Sequence, residues 1–271
     1  MRRDKLDRRS KELRKLVIDG LSASGRGHLG SSLSLIEVLR VLYDDVLNYR
    51  AGEPGWPERD RFILSKGNGC LALYAILSDK GFFKKQELLT FCKINSRLGG
   101  HPEEIIPGVE VSTGSLGHGL SIACGMALAA KIEGKSFRTF TVIGDGESDE
   151  GSIWEAAMSI AKHKLSNLTV IVDYNKMQSY GTTREVVDLE PLALKWNAFG
   201  FCVREVDGHD IGALRKVFLS LPFSRNKPNA VICHTVKGKG IKFAEGNIAW
   251  HHRRGLTEED IKGLYRAAEE Y

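Results

Sequence analysis

A chain of 271 residues, 42% apolar and 27% charged, can bury a large core in one α/β domain, or in two at most. The formal charge of +5 is modest and spread along the chain, and its densest basic piece, MRRDKLDRRSKELRK, alternates with acids and apolar residues. That pattern reads as the solvated face of a first helix and excludes a dedicated nucleic-acid surface as the leading function. The five cysteines (Cys70, Cys92, Cys124, Cys202, Cys233) show no paired metal spacing. No signal peptide opens the chain and no apolar run is long enough to span a bilayer, so a cytoplasmic protein with reduced, mostly buried thiols is expected.

In chain order, a first helix is expected over Asp4 to Ser22, with Leu6, Leu13, Leu16 and Val17 on one side. It breaks at SASGRGHLGSS, a glycine- and serine-rich turn around His28. Ser34 to Leu47 reads as a second amphipathic helix, Asp60 to Ser65 as a strand, and Cys70 to Leu77 as the helix after it. Gly67-Asn68-Gly69 makes the connecting turn. LGGHPEEIIPGVEVSTGSLGHGLSIACGMALAAK then carries His101, the loop Gly114-Ser115-Leu116-Gly117, and a small-residue stretch that reads as a tightly packed core helix. Taken alone, His28, His101 and His118 would be structural histidines.

Arg138 to Gly144 reads as a buried strand, Gly151 to Lys164 as a helix, and Leu168 to Tyr174 as the next strand, ending at Asn175. REVVDLEPLALKWNAFGF reads as loop then helix. FCVREVDGHD is another strand and turn, Asp210 to Leu221 a helix, and NAVICHTVKGKG a last strand with a glycine-lysine loop that lacks Walker spacing. The neighbouring side chains of His251 and His252 diverge and have no third soft ligand, so they are not read as a metal site. Thr257 to Asp260 opens a closing helix with an N-cap and an acidic first turn. The alternation predicts an open, mostly parallel α/β sheet with helices on both faces, and a single domain over 1–271.

Between two of these strands lies GDGESDEG, and Asn175 stands thirty positions after Asp145. Both fall at carboxyl ends of predicted strands, where open parallel sheets place ligands. Asp145 offers a hard anionic oxygen and Asn175 a neutral one, which suits magnesium or calcium rather than zinc. Gly144 and Gly146 let a ligand approach the backbone, and the following helix start offers N–H groups to an anion. A lone GDG would be an ordinary strand-to-helix turn with an acidic N-cap; Asn175 is what changes that reading.

GDG with an asparagine about thirty positions on resembles the signature of thiamine diphosphate enzymes, and the rest of the chain resembles transketolase along nearly its whole length. Deoxyxylulose-phosphate synthases and the alpha subunits of 2-oxo acid dehydrogenases share the GDG-to-Asn element. GGHPE followed by EVSTGSLGHGLS is similar to the transketolase group and unlike the dehydrogenases. The resemblance implies thiamine diphosphate and Mg2+ (with Ca2+ or Mn2+ able to substitute) as cofactors. The metal would be held by the side chains of Asp145 and Asn175 and the backbone carbonyl of Met177. Gly144, Gly146 and Gln178 would meet the diphosphate, and Gly114, Ser115 and Leu116 the aminopyrimidine. His28, His101 and His251 would face the donor sugar, positioning hydroxyls and shuttling protons, and Glu150 would link to a partner's catalytic glutamate.

The chain departs from that family at Leu29 and Ser115, where relatives carry proline, and at Asn68, where they carry a histidine that binds cofactor and sugar. Asn68 either tolerates a left-handed turn or marks an altered donor or acceptor sugar. The resemblance covers a diphosphate-binding domain only. It implies a partner chain carrying the pyrimidine domain, an α2β2 assembly, and activity only in that assembly, on small sugars and without nucleic acid or membrane. Two other readings are a relative acting on a modified sugar and a non-catalytic cofactor-binding or regulatory chain.

Overall fold

The computed structural model describes residues 6–271. Asp4, the expected start of the first helix, lies outside them. Helix α1 (Arg8–Ser24) begins where the Asp7 side chain accepts a hydrogen bond from Ser10 N–H and ends at Gly25, left-handed at φ 61°. The turn expected around His28 contains a short helix, α2 (Leu29–Leu33), with His28 at its N-cap. The single helix expected over Ser34 to Leu47 is α3 (Ile36–Val41) running into a π-helical turn at Leu42–Val46.

Strand β1 (Arg61–Leu64) leads through a 3-10 turn at Gly67–Gly69 into α4 (Cys70–Asp79). There follow α5 (His118–Ile132), β2 (Thr139–Gly144), α6 (Gly151–Lys162) and β3 (Leu168–Tyr174). Then come α7 (Thr183–Val186), α8 (Leu192–Ala198), β4 (Cys202–Asp207), α9 (Ile211–Leu219) and β5 (Asn229–His234). The last helix is α10 (Glu258–Glu270), opened by a reciprocal Thr257–Asp260 capping box.

The five strands form one sheet in the order β1-β2-β3-β5-β4, parallel at every pairing. Each central strand is buried on both faces, so its residues alternate between two cores. Phe140 and Val142 of β2 and Ile171 of β3 face the core built with α1, α3, α4, α9 and α10. Ile143, Val170 and Val172 face the core built with α5, α6 and α8, around Trp196 and Phe201. One part of the reading is corrected here. Helix α5 is tightly packed on one face only: Ala123 and Ala127 are buried, whereas Ser121, Ile122, Gly125 and Ala129 are exposed.

Several polar groups stitch this frame together at depth. Arg14 of α1 is fully buried and holds Glu37 of α3 through two contacts, at 2.6 and 3.1 Å, and the Lys239 carbonyl at 2.8 Å. Val236 N–H donates to His209 Nε2 at 2.8 Å, which leaves the ring proton on Nδ1, 2.8 Å from Glu37 Oε2. His209 is therefore structural.

Candidate functional site

The carboxyl ends of β1, β2 and β3 open into a cavity of about 250 Å³. Its floor is built by local backbone chemistry. Asp145, just beyond β2, accepts from Gly146 N–H at 2.8 Å and from Lys176 N–H at 2.5 Å. Lys176 is left-handed at φ 65°, which turns the chain after β3 and brings Asn175 and Met177 to the same side. Asn175 Oδ1 accepts from Met177 N–H at 3.1 Å. The Asp145 carboxylate, the Asn175 amide and the Met177 carbonyl thus belong to residues that line one cavity, from the ends of two adjacent strands. These are hard oxygen donors that suit an octahedral ion completed by water and phosphate oxygens. Among the described residues no group of three or more His, Cys, Asp or Glu is placed to hold a metal.

Of the residues singled out from the sequence, Asn68, Leu116, Gly144, Asp145, Gly146, Glu150, Asn175, Met177, Gln178 and His251 line this cavity. Gln178 donates to Asp149 Oδ2 at 2.7 Å and packs where a Cβ on Gly146 would meet its Cγ at 3.1 Å. Glu150 is exposed. Gly114, at φ 142°, lies against the His101 ring, where an added Cβ would meet ring carbons at 3.1 Å. The Ser115 side chain is exposed, 3.4 Å from His118 Nδ1. His28, His101, Gly114 and Ser115 sit outside the cavity wall itself. The His28 ring is the link, centred 5.4 Å from that of His251 and 6.1 Å from that of His101.

Two expectations change. Asn68 is not left-handed, so tolerance of such a turn does not explain it; it sits in the 3-10 turn with its Oδ1 buried and without a partner. Nor do His28 and His251 titrate near neutrality. Burial first, then the nearby His252, His101 and two lysines, brings His28 down to about 4. Burial and then Lys237 bring His251 down to about 3, and burial also lowers His101. All three are neutral imidazoles at pH 7, suited to hydrogen bonding rather than to proton shuttling.

The sign of that shift makes a stability prediction. A histidine whose folded pKa is depressed stabilises the fold fully above its ordinary value of 6.5 and loses that contribution as pH falls towards 4. After allowance for partial exposure, the chain is expected to lose about 2 kcal/mol across this window. The readout is its urea midpoint at pH 7 and at pH 4.5; an unchanged midpoint would contradict the burial argument.

Four residues were missed from the sequence. Lys66 is buried beside Gly144 and forms an ion pair with Asp173, which is fully buried on β3 and also accepts from Ser34 at 2.7 Å and from Thr235. Burial pushes the Asp173 carboxyl up, but Lys66, Thr235 and Ser34 outweigh it and hold it low. Lys237 donates to the Met177 carbonyl at 2.9 Å, and burial followed by repulsion from Lys66 lowers its pKa. Glu147, buried, accepts from Gly117 N–H at 2.9 Å, Gly144 N–H at 3.2 Å and Ser65, tying the 114–117 loop to the acidic turn. Only KGKG gave a hint in the sequence; the other three sit in motifs read for their neighbours.

The cavity is prepared for a polar ligand. Ser31 Oγ, Asn68 Oδ1, Asp149 Oδ1 and His251 Nδ1 are buried in its wall and have no hydrogen-bond partner. Buried polar atoms are rarely left so, and a diphosphate with its metal and water shell supplies the donors and acceptors they lack. Lys66 and Lys237 supply positive charge at the same wall.

Comparison with known proteins agrees. Residues 7–268 match the family model described as transketolase, thiamine diphosphate binding domain. The chain is 42% identical over 269 residues to one of the subunits of an apulose-4-phosphate transketolase from Phocaeicola vulgatus, covering 99% of this chain and 96% of that one. It is 44% identical over 255 residues to one of the subunits of a 6-deoxy-6-sulfo-D-fructose transketolase from a Clostridium species, covering 94% and 92%. Human transketolase is 37% identical over 93% of this chain, which spans 41% of the human protein. Among solved structures, transketolase from Campylobacter jejuni superposes with a TM-score of 0.89 at 30% identity, over 98% of this chain and 43% of that one. The parallel sheet, the turn that closes β2 and the matched span point to one conclusion: the chain belongs to the transketolase family and carries its thiamine diphosphate-binding part, the part that makes up almost the whole of the Phocaeicola relative.

Proposed function

We propose that this chain is the diphosphate-binding half of a two-chain transketolase. The enzyme would move a two-carbon ketol unit from a ketose or ketose phosphate to an aldose or aldose phosphate. The observation that carries the reading is the convergence of Asp145, Asn175 and the Met177 carbonyl on one cavity whose wall holds four unpartnered polar atoms. In this reading those three groups hold Mg2+, for which Ca2+ or Mn2+ can substitute. Gly146, Gln178 and the Lys66 and Lys237 ammonium groups face the diphosphate. Gly114 to Leu116 meet the aminopyrimidine through their backbone.

When bound, thiamine diphosphate supplies the carbanion chemistry for breaking and remaking a carbon–carbon bond beside a ketose carbonyl. The chain's own residues position and protect. Neutral His28, His101 and His251 donate hydrogen bonds to donor hydroxyls and to the oxygen that gains charge. Glu150, exposed beside the cavity, reaches the partner's catalytic glutamate. Leu116 at the cavity and Ile122 on α5, both exposed, give apolar surface for the pyrimidine-binding chain to cover in an α2β2 assembly. Five free cysteines support a reducing, cytoplasmic setting, and no described helix is long and apolar enough to cross a membrane.

A second reading, a modified sugar as donor, is favoured by Asn68, whose unpartnered Oδ1 takes the place of an imidazole. The test is co-expression with a candidate pyrimidine-domain chain and donor cleavage with thiamine diphosphate and magnesium. Cleavage of xylulose 5-phosphate only with both chains present supports the first reading, and cleavage of modified ketoses alone supports the second. Cofactor binding without any cleavage points to a non-catalytic role. No cofactor binding overturns all three. In the active assembly, His101→Ala is expected to lower turnover about 100-fold while cofactor affinity stays within about threefold. The reverse pattern would remove His101 from the sugar site.

A further inference from the structure

Lys66 and Lys237 are both buried in the cavity wall, but they are engaged differently. The Lys66 ammonium has three N–H groups and meets three acceptors within the chain: Asp173, the Ser31 carbonyl at 3.1 Å and Ser34 Oγ at 3.3 Å. Lys237 is 2% exposed, and among the described residues its ammonium donates to one acceptor, the Met177 carbonyl at 2.9 Å. Its other two N–H groups are uncommitted, at a depth where polar groups are rarely left so. Asp145 attracts this ammonium and Lys66 repels it.

The stem of Lys237 is gripped. Its Cγ lies 3.1 Å from where a Cβ on Gly30 would stand, the following Gly238 N–H donates to Gly30 O at 3.1 Å, and its own carbonyl accepts from Gly246 N–H at 2.9 Å. The segment leading to Gly30 is fixed in turn by an antiparallel bridge. Gly27 N–H donates to Arg253 O and Arg253 N–H to Gly27 O, both at 3.0 Å. The freedom left to Lys237 is rotation of its side chain beyond Cγ.

The Met177 carbonyl is also the oxygen assigned above to the metal. A carbonyl oxygen has two acceptor directions, but an ammonium and a divalent ion on one buried oxygen repel at close range, with little water to screen them. We propose that Lys237 competes with the metal for the Met177 carbonyl and releases it when a diphosphate offers the ammonium a stronger acceptor. Rotation of the head exchanges one hydrogen bond for charge-assisted bonds to the anion, with the backbone held in place. Lys66 cannot take this part, because its donors are spent. Metal alone is therefore held weakly, the diphosphate strengthens it, and the metal strengthens the diphosphate by the same factor. The inference rests on the reading of Asp145, Asn175 and Met177 as the groups that hold the metal.

Binding of Mn2+ to the isolated chain, read from the electron paramagnetic resonance of the free ion, tests it. Without thiamine diphosphate, Lys237→Gln and Lys237→Met are each expected to bind Mn2+ about tenfold more tightly than the parent chain. Adding Asp145→Asn to either should remove the gain, which places the ion at the cavity. With Mn2+ present, the same two variants should hold thiamine diphosphate about tenfold less tightly, read by calorimetric titration. A lysine needed only for folding would lower both affinities together, and the urea midpoint with them. Mn2+ binding that is unchanged or weaker in Lys237→Gln overturns the proposal, as does thiamine diphosphate binding that is unchanged or tighter. A parent chain that binds no thiamine diphosphate counts against the transketolase reading, and the Mn2+ comparison then decides by itself whether Lys237 competes.

Discussion

Replacing Asp145 by alanine is expected to weaken metal-dependent retention of thiamine diphosphate by about 100-fold or more. The residue has two tasks. Its oxygens hold Gly146 N–H and Lys176 N–H, which fixes the turn after β2 against the turn after β3. Its charge lies in the wall of the cavity that Asn175 and Met177 also line. Asp145→Asn separates these, because it keeps the volume and one acceptor but removes the charge. Burial, and then the nearby Asp173, raise the Asp145 pKa, so its anion is costly in the empty fold. The asparagine variant should therefore unfold at the same or slightly higher denaturant concentration while losing cofactor affinity by a similar factor. Calorimetric titration of the isolated chain with both cofactors, beside urea unfolding, reads the two effects. Normal affinity in Asp145→Asn would remove the carboxylate from the metal site.

The second large effect lies away from the cavity. Arg14→Met is expected to destabilise the chain by about 3–5 kcal/mol, because it strands the Glu37 carboxylate in the core with only His209 beside it. Burial raises the Glu37 pKa, and Arg14 and His209 more than reverse this, so the carboxylate depends on both partners. The double variant Arg14→Met/Glu37→Leu should recover most of the loss, since a buried pair replaced by apolar groups of similar size is close to neutral. Urea midpoints of the three proteins test this, and a double variant no better than Arg14→Met would show that packing rather than stranded charge sets the cost. Arg14 also holds the Lys239 carbonyl, and so steadies the loop from which Lys237 reaches Met177.

What could be read from the sequence was what is local along it. All five strands were found, most within a residue of their ends, because short β-branched runs bounded by glycine, asparagine and aspartate state their own limits. That Asp145, Asn175 and Met177 would come together in one cavity was readable for the same reason: each lies next to a strand end. Lys66 and Asp173 were not, because their meaning is their pairing across β1 and β3, and neither has a local pattern. The outward face of α5 was misjudged because glycine, alanine and serine look alike in sequence whether they pack a core or lie flat on a surface. Asn68 was left open between turn chemistry and binding chemistry, and only its backbone angles excluded the first.

The turns after β2 and β3 and the Gly27–Arg253 bridge differ in how far apart along the chain their parts lie. Asp145 and Asn175 belong to strands that neighbour each other in sequence and in the sheet, so their meeting closes a short loop. Gly27 and Arg253 come from near opposite ends of the described chain, and their pairing waits for every strand between them to dock. Refolding should therefore bring the turns after β2 and β3 together before the Gly27–Arg253 bridge closes. A chain caught midway, during synthesis or after partial unfolding, would hold the first without the second, so the Gly27–Arg253 bridge is the later of the two contacts to form and the first to be lost.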